Sequence, residues 1–302
     1  MIKTFLNSSF QIRDLGDLKF FLGLEISRSR EGIHICQRKY ALDILSDAGL
    51  LGAKPCNTPM IKDNKFLYNS KAQPHDSTSF RRIIGRLIYL TNTRPDITFV
   101  VQQLCQFMQS PTEDHYMEAM RILKYIKTAP AQGLFYSSAS RLQLRAFSDS
   151  DWATCPKTRR SVTGFCIFLG SSLISWRSKK QSTVSRSSSE AEYRALASTT
   201  CEIQWITFLL QELNMDCSAP TTLYCDNQSA RNIASNPTFH ERTKHIEIDC
   251  HIVRDKLQAG LFKLLPISSS NMLADFFTKP LEPTTFNSIL NKLGILNLHS
   301  PS

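Results

Sequence analysis

The chain has 302 residues, 42% hydrophobic and 21% charged, which excludes a disordered protein and leaves room for two sizeable cores. Its 36 Lys and Arg exceed its 26 Asp and Glu for a formal charge of +10, so a polyanionic partner is expected and an acidic-substrate scavenger is not. No apolar run reaches roughly 18 residues, which excludes a membrane-spanning helix. Nine cysteines without a Cys-x-x-Cys pair argue against a disulfide scaffold or zinc knuckle.

The short apolar start runs straight into charged sequence and does not read as a secretory signal, so an intracellular location, nucleus or cytoplasm, is expected. FFLGLEISRSREGIHICQ reads as two short strands around a turn at Glu31-Gly32, and KYALDILSDAGL as a helix stopped by Gly49. The breaker-rich stretch 54–77 reads as a linker. Residues 79–128 then read as three helices, the second opened by Pro95 and running to Gln109, the third starting at Pro111-Thr112-Glu113.

From residue 141 the pattern changes. LQLRAFSDSD, SVTGFCIFLG and LISW read as strands, the last two separated by Gly170-Ser171-Ser172. Ser189 to Leu213 reads as a long amphipathic helix burying Ala195, Leu196, Ile203, Ile206, Leu209 and Leu210. TTLYCDN is a short buried strand before a helix from about Gln228 to Ala234. His245–Gln258 reads as a helix, LFKLLPI as the last strand, and Asn271 onward as a closing helix. The order β-β-β-α-β-α-α-β-α predicts an α/β layer domain with a mixed sheet.

Four carboxylates sit where these elements end or begin: Asp149, Glu192, Asp226 and Asp275. A strand-end acid alone is uninformative, but four on elements able to meet at one sheet edge suit a hard cation such as Mg²⁺ or Mn²⁺. Mutual repulsion of such acids points to two ions rather than none. Between Lys157 and Arg186 lie seven basic residues and no acid: Lys157, Arg159, Arg160, Arg177, Lys179, Lys180 and Arg186. This run alternates with strand-like segments and contains Trp176, as a surface lying along a phosphate backbone would.

The blocks FSDSDWA, CPKTRRSVTGFCIFLGSSLISWRSKKQSTVSRSSSEAEYRALA, YCDNQSARNIASNPTFHERTKHIEID and LADFFTKPL resemble the RNase H region of copia-type LTR retrotransposon Pol polyproteins of plants. RDLGDLKFFLGLEI, KYALDIL and NTPM are similar to the end of that family's reverse transcriptase palm and its thumb. LIYLTNTRPDI and FMQSPTEDHYMEAMRILKYIK are similar to its connection region. The resemblance implies four segments: a truncated palm end and thumb at 1–62, a helical connection at 63–140, an RNase H domain at 141–282 and a tail at 283–302. The implied fold is an RNase H-like mixed five-stranded sheet flanked by helices, preceded by the partial palm and thumb.

The resemblance also implies that Asp149, Glu192, Asp226 and Asp275 are catalytic and hold two Mg²⁺ ions for hydrolysis of the RNA strand of RNA–DNA hybrids. The order Asp-Glu-Asp-Asp separates an RNase H from an integrase. Asn227 and Gln228 join the basic run as expected nucleic-acid contacts. Glu190 and Asp151 are the competing acids, with Glu192 preferred over Glu190 on the motif. Trp152, Trp176 and His245 read as structural, and no small-molecule cofactor is implied. The family's polymerase needs a Tyr-x-Asp-Asp turn, and no Asp-Asp dipeptide occurs. Autonomous DNA synthesis is therefore not expected, the frame reads as truncated, and apolar surface should be exposed around Phe20-Phe21-Leu22. A catalytically silent nucleic-acid-binding remnant is the alternative.

Overall fold

In the computed structural model, residues 2–13, 16–62, 72–215, 219–236 and 246–297 are described. After helix α1 (Ile2–Phe10), short strands β1 (Phe20–Phe21), β2 (Leu24–Arg28) and β3 (Gly32–Cys36) form a meander. Helix α2 (Arg38–Asp47) ends just before Gly49, whose φ of +67° lies in the left-handed region that glycine enters without steric cost. Helix α3 (Ser77–Leu90) begins at Asp76, whose carboxylate accepts from the N–H groups of Thr78 and Ser79 at 3.1 and 2.8 Å. A 3₁₀ turn at Pro95–Ile97 leads into α4 (Thr98–Cys105), which stops four residues short of the expected Gln109. Helix α5 (Glu113–Thr128) follows.

The segment expected to be a helical connection also contributes a strand, β4 (Gln132–Ser137). It pairs with β3 on one side and with β10 (Ile295–Asn297) on the other, completing the antiparallel order β1-β2-β3-β4-β10. Gly133 is required there, because a Cβ would lie 2.2 Å from the Ile35 carbonyl oxygen. Residues 283–297 of the expected tail are therefore folded: helix α9 (Pro283–Lys292) buries Phe286 and Ile289, and β10 closes the first sheet.

The second sheet uses β5 (Leu144–Asp151), β6 (Val162–Leu169), β7 (Ser172–Lys180), β8 (Thr221–Cys225) and β9 (Phe262–Pro266), in the order β7-β6-β5-β8-β9. The β5, β6 and β7 strands are antiparallel neighbours, whereas β8 and β9 run parallel to β5. Parallel pairing needs crossovers. Helix α6 (Ser188–Glu212) supplies the first, and α7 (Gln228–Ser235) with α8 (Glu247–Gln258) the second. This is the RNase H-like mixed sheet implied by the sequence.

The mostly apolar run of β6 reflects burial on both faces. Phe165 and Ile167 pack with Leu196 and Ile203 of α6, while Cys166 and Phe168 join Leu87, Val101 and Ile122 of the preceding helices. One core thus runs from α2 through the connection helices to β6 and α9. Leu209 departs from the expected buried face at 44% exposure, whereas its neighbours on that face, Ile206 and Leu210, are buried. Phe20, Phe21 and Leu22 are exposed, β1 being a two-residue edge strand. Part of the expected linker, 63–71, and His245 lie outside the described residues.

Candidate active site

The parallel strands β5 and β8 end side by side, and ligands in open α/β sheets bind at such carboxyl ends. Asp149 occupies the end of β5 and is 4% exposed. Its partner across β6 is Gly164, where a Cβ would sit 2.5 Å from Thr278 Cγ2 and 3.0 Å from Phe277 Cβ. Glycine at 164 therefore lets the chain after β9 close over Asp149. That chain is a 3₁₀ helix, Leu273–Phe277, rather than the α-helix expected from Asn271 onward. It places Asp275 beside Asp149, and the following Thr278 hydroxyl donates to Asp149 Oδ2.

Glu192 lies on α6, is 5% exposed, and accepts from the Ser150 N–H at 3.2 Å through Oε1. Its Oε2 is buried with no hydrogen-bond partner among the described residues. Asp226 follows β8 directly and accepts from Ser269 Oγ at 2.7 Å. Ligand atoms of Glu192, Asp226 and Cys225 lie within 4.8 Å of one another. The competing Glu190 faces elsewhere, bound to Arg194 at 3.0 Å and to the Arg186 N–H at 2.7 Å.

Crowding of like charges shapes the electrostatics. Burial, then the charges of Asp149 and Asp226, push Glu192 up to about 9. Burial, then Asp149, push Asp275 up to about 7. Asp151 rises to about 6, chiefly by burial. The Cys225 thiol is also pushed up by burial, and then by the charge of Glu192. Among the described residues, one cation sits against the acids. Lys279 Nζ is 2.9 Å from Asp275 Oδ1 and 4.0 Å from Asp149 Oδ2. Burial works against its ammonium, but the charges of Asp149 and Asp275 outweigh it. The sequence reading passed over Thr278 and Lys279. Their signal was helical spacing, since Lys279 stands four residues after Asp275.

Carboxylate oxygens, one of them an orphaned Glu192 Oε2, fit a hard divalent cation such as Mg²⁺ or Mn²⁺. The basic run is split by the fold. Lys157, Arg159 and Arg160 are exposed in the turn between β5 and β6, and Arg186 is exposed just before α6. On β7, Arg177 and Lys179 are exposed, with the Arg177 guanidinium 5.6 Å over the Phe165 ring. Lys180 points elsewhere, to Gln106 Oε1 at 2.7 Å and Cys155 Sγ at 2.8 Å. Asn227 caps α7, accepting from the Ala230 N–H at 2.9 Å, and Gln228 is exposed beside it. Trp152 is 46% exposed and donates to the Ser185 carbonyl at 3.1 Å, while Trp176 packs against the larger core.

The retrovirus-related Pol polyprotein from transposon RE2 of Arabidopsis thaliana is 41% identical over 293 residues, covering 97% of this chain and 20% of the polyprotein. That from transposon RE1 of the same plant is 43% identical over 290 residues, covering 96% and 20%. The chain belongs to the copia-type retrovirus-related Pol polyproteins. It spans about a fifth of the length of these relatives. Residues 1–62 of this Pol-family chain match the family model for reverse transcriptase (RNA-dependent DNA polymerase). Among solved structures, an RNase H1 isolated from compost by a metagenomic approach is similar at 14% identity and a TM-score of 0.35, covering 49% of this chain and 99% of that one. No helix among the described residues is long and apolar enough to cross a membrane.

Proposed function

We propose that the RNase H-type domain of this Pol-family chain is a divalent-metal-dependent endonuclease that cleaves the RNA strand of RNA–DNA hybrids. The observation that carries the reading is the buried Glu192 carboxylate, whose Oε2 has no hydrogen-bond partner among the described residues and which lies beside Asp149 and Asp226, with Asp275 against Asp149. A buried acid so placed is costly unless a cation completes it.

Asp149, Glu192, Asp226 and Asp275 would hold two Mg²⁺ ions, Mn²⁺ being the alternative. Bound there, the metal supplies a water of lowered pKa and charge stabilisation for the departing 3′ oxygen. Thr278 orients Asp149 by donating to Oδ2, and Ser269 orients Asp226. Lys279 offers its ammonium to a phosphate oxygen beside the acids. The exposed Lys157, Arg159, Arg160, Arg177, Lys179 and Arg186 serve as phosphate contacts, which position a duplex without reading its sequence. Gln228 and Asn227, where a 2′-hydroxyl would be read, distinguish RNA from DNA. DNA synthesis is not assigned to this chain.

The test is Mg²⁺-dependent cleavage of an end-labelled hybrid by the whole chain, beside Asp149→Asn and Asp226→Asn. Each variant should lose at least about 100-fold in rate, the scale of removing one group that stabilises transition-state charge. Both should still bind the hybrid. A folded wild-type chain that binds hybrid without cutting it would select the catalytically silent binder instead.

A further inference from the structure

The turn that follows β5 carries a second chemical feature. Cys155 Sγ lies 2.8 Å from Lys180 Nζ at the end of β7, and the same ammonium donates to Gln106 Oε1 at 2.7 Å. Gln106 belongs to the turn ending α4, so the pair bridges the connection helices and the nuclease sheet. A cavity of about 190 Å³ opens onto it, walled by Cys155, Lys180, Gln103, Gln106, Asp151 and Thr278 among others. Several water-sized molecules fit in that space, and hydrogen peroxide is little larger than water. Cys155 is only 5% exposed, so small reagents reach its sulfur through this cavity and large ones do not.

The surroundings favour the thiolate. Burial opposes ionisation, but the Lys180 hydrogen bond, the hydroxyl and N–H of Thr158, and the Lys180 charge outweigh it and draw the thiol down to about 7. Among the described residues, Asp151 on β5 is the one carboxylate lining the cavity, and α4 with its C-terminal turn contributes Phe99, Gln103 and Gln106, none of them charged. Other thiols are treated in the opposite way. Burial pushes Cys36, Cys105, Cys166, Cys201 and Cys225 up. A low, cation-paired and reachable thiol is the kind that oxidants select.

We propose that Cys155 and Lys180 form a modification site at which small hydroperoxides convert the Cys155 thiolate to a sulfenic acid. The sulfur attacks one peroxide oxygen, an S–O bond forms as the O–O bond breaks, and the sulfur gives up two electrons. The hydroxide released takes a proton from the Lys180 ammonium and leaves as water, so one peroxide is consumed per thiol. The adduct then occupies the cavity that separates α4 from β5, and Lys180 loses its anionic partner.

The experiment uses the whole reduced chain, pulsed with equimolar hydrogen peroxide at pH 7 and then unfolded in urea containing a cyclic 1,3-dione that traps the sulfenic acid, with peptide mass mapping of each cysteine. Cys155 should label roughly 5-fold faster than the exposed Cys201, the gain in thiolate fraction being partly offset by the lower nucleophilicity of a more acidic thiol. Lys180→Gln should cut Cys155 labelling by a similar factor and leave Cys201 unchanged. Equal labelling of Cys155 and Cys201 in the wild type would overturn the proposal, as would unchanged Cys155 labelling in a natively melting Lys180→Gln chain. If that variant does not fold, the wild-type pH profile decides: a labelling midpoint near 7 supports the site, and one at an ordinary thiol's value, about 8.5, refutes it.

Discussion

Glu192 bears most of the electrostatic strain of the carboxylate cluster. Its value of about 9, against 4.5 for a free glutamic acid, means that the folded metal-free chain keeps a proton that the unfolded chain releases. Stability from this group is therefore complete below about pH 4.5 and is lost as pH rises toward 9. Asp275, at about 7, adds the same trend over a lower window. In EDTA the melting temperature should fall between pH 5 and pH 9, and Glu192→Gln should flatten the fall. Adding Mg²⁺ at pH 8 should raise the melting temperature of the wild type more than that of the variant; scanning fluorimetry across that range reads all three.

A different kind of buried charge holds the connection region. Arg94 and Asp96 are almost fully buried and paired at 2.7 Å. Asp96 Oδ2 also accepts from Tyr125 Oη and Gln132 Nε2, at 2.7 and 2.9 Å, and Arg94 Nη1 donates to the Ala129 carbonyl. Asp96→Ala leaves the guanidinium uncompensated and should cost about 3–5 kcal/mol, measured by urea unfolding.

At the scale of elements, the closure of the site depends on how tightly the 3₁₀ helix at Leu273–Phe277 lies on β6. Gly164 sets that distance, because Thr278, Phe277 and the Ala274 carbonyl fill the space a side chain would need. Gly164→Ala should lift the segment away from β6 and carry Asp275, Thr278 and Lys279 off Asp149. The expected signature is a loss of hybrid cleavage of about 100-fold, larger than the accompanying destabilisation of about 1–3 kcal/mol explains. A variant that melts lower yet cleaves at the wild-type rate would show that the segment does not position the site.

For the molecule as a whole, the first and second sheets share one core and one chain end. Phe147, Cys166 and Phe168 of the second sheet pack in the same cluster as Leu87, Ile122, Phe286, Leu293 and Ile295. Residues 141–282 by themselves would expose that face and should aggregate where the whole chain does not. Within the whole chain, Leu293 is fully buried, and Leu293→Ala should cost about 2–5 kcal/mol in chemical unfolding. A smaller loss would mean that α9 and β10 are accessories to the fold.

Much of this architecture was legible in the residues alone. Helical periodicity marked α2, α3, α5 and α6, Gly49 marked a stop, and the apolar run of SVTGFCIFLG marked β6 as a strand. Motif likeness singled out Asp149, Glu192, Asp226 and Asp275 at element ends, and distinguished Glu192 from Glu190. Tertiary structure alone decided the rest. β10 is three residues long, too short to show a period, and exists because β4 offers it an unpaired edge. Lys180 belongs to a basic run in the sequence, but the fold turns it toward Cys155 and Gln106. Thr278 and Lys279 join the site only because Gly164, more than a hundred residues earlier, leaves room for them. Local pattern reports which face a residue presents within its own element. Which distant group meets that face is set by packing between elements, where the cost of close approach and of unpaired charge is resolved.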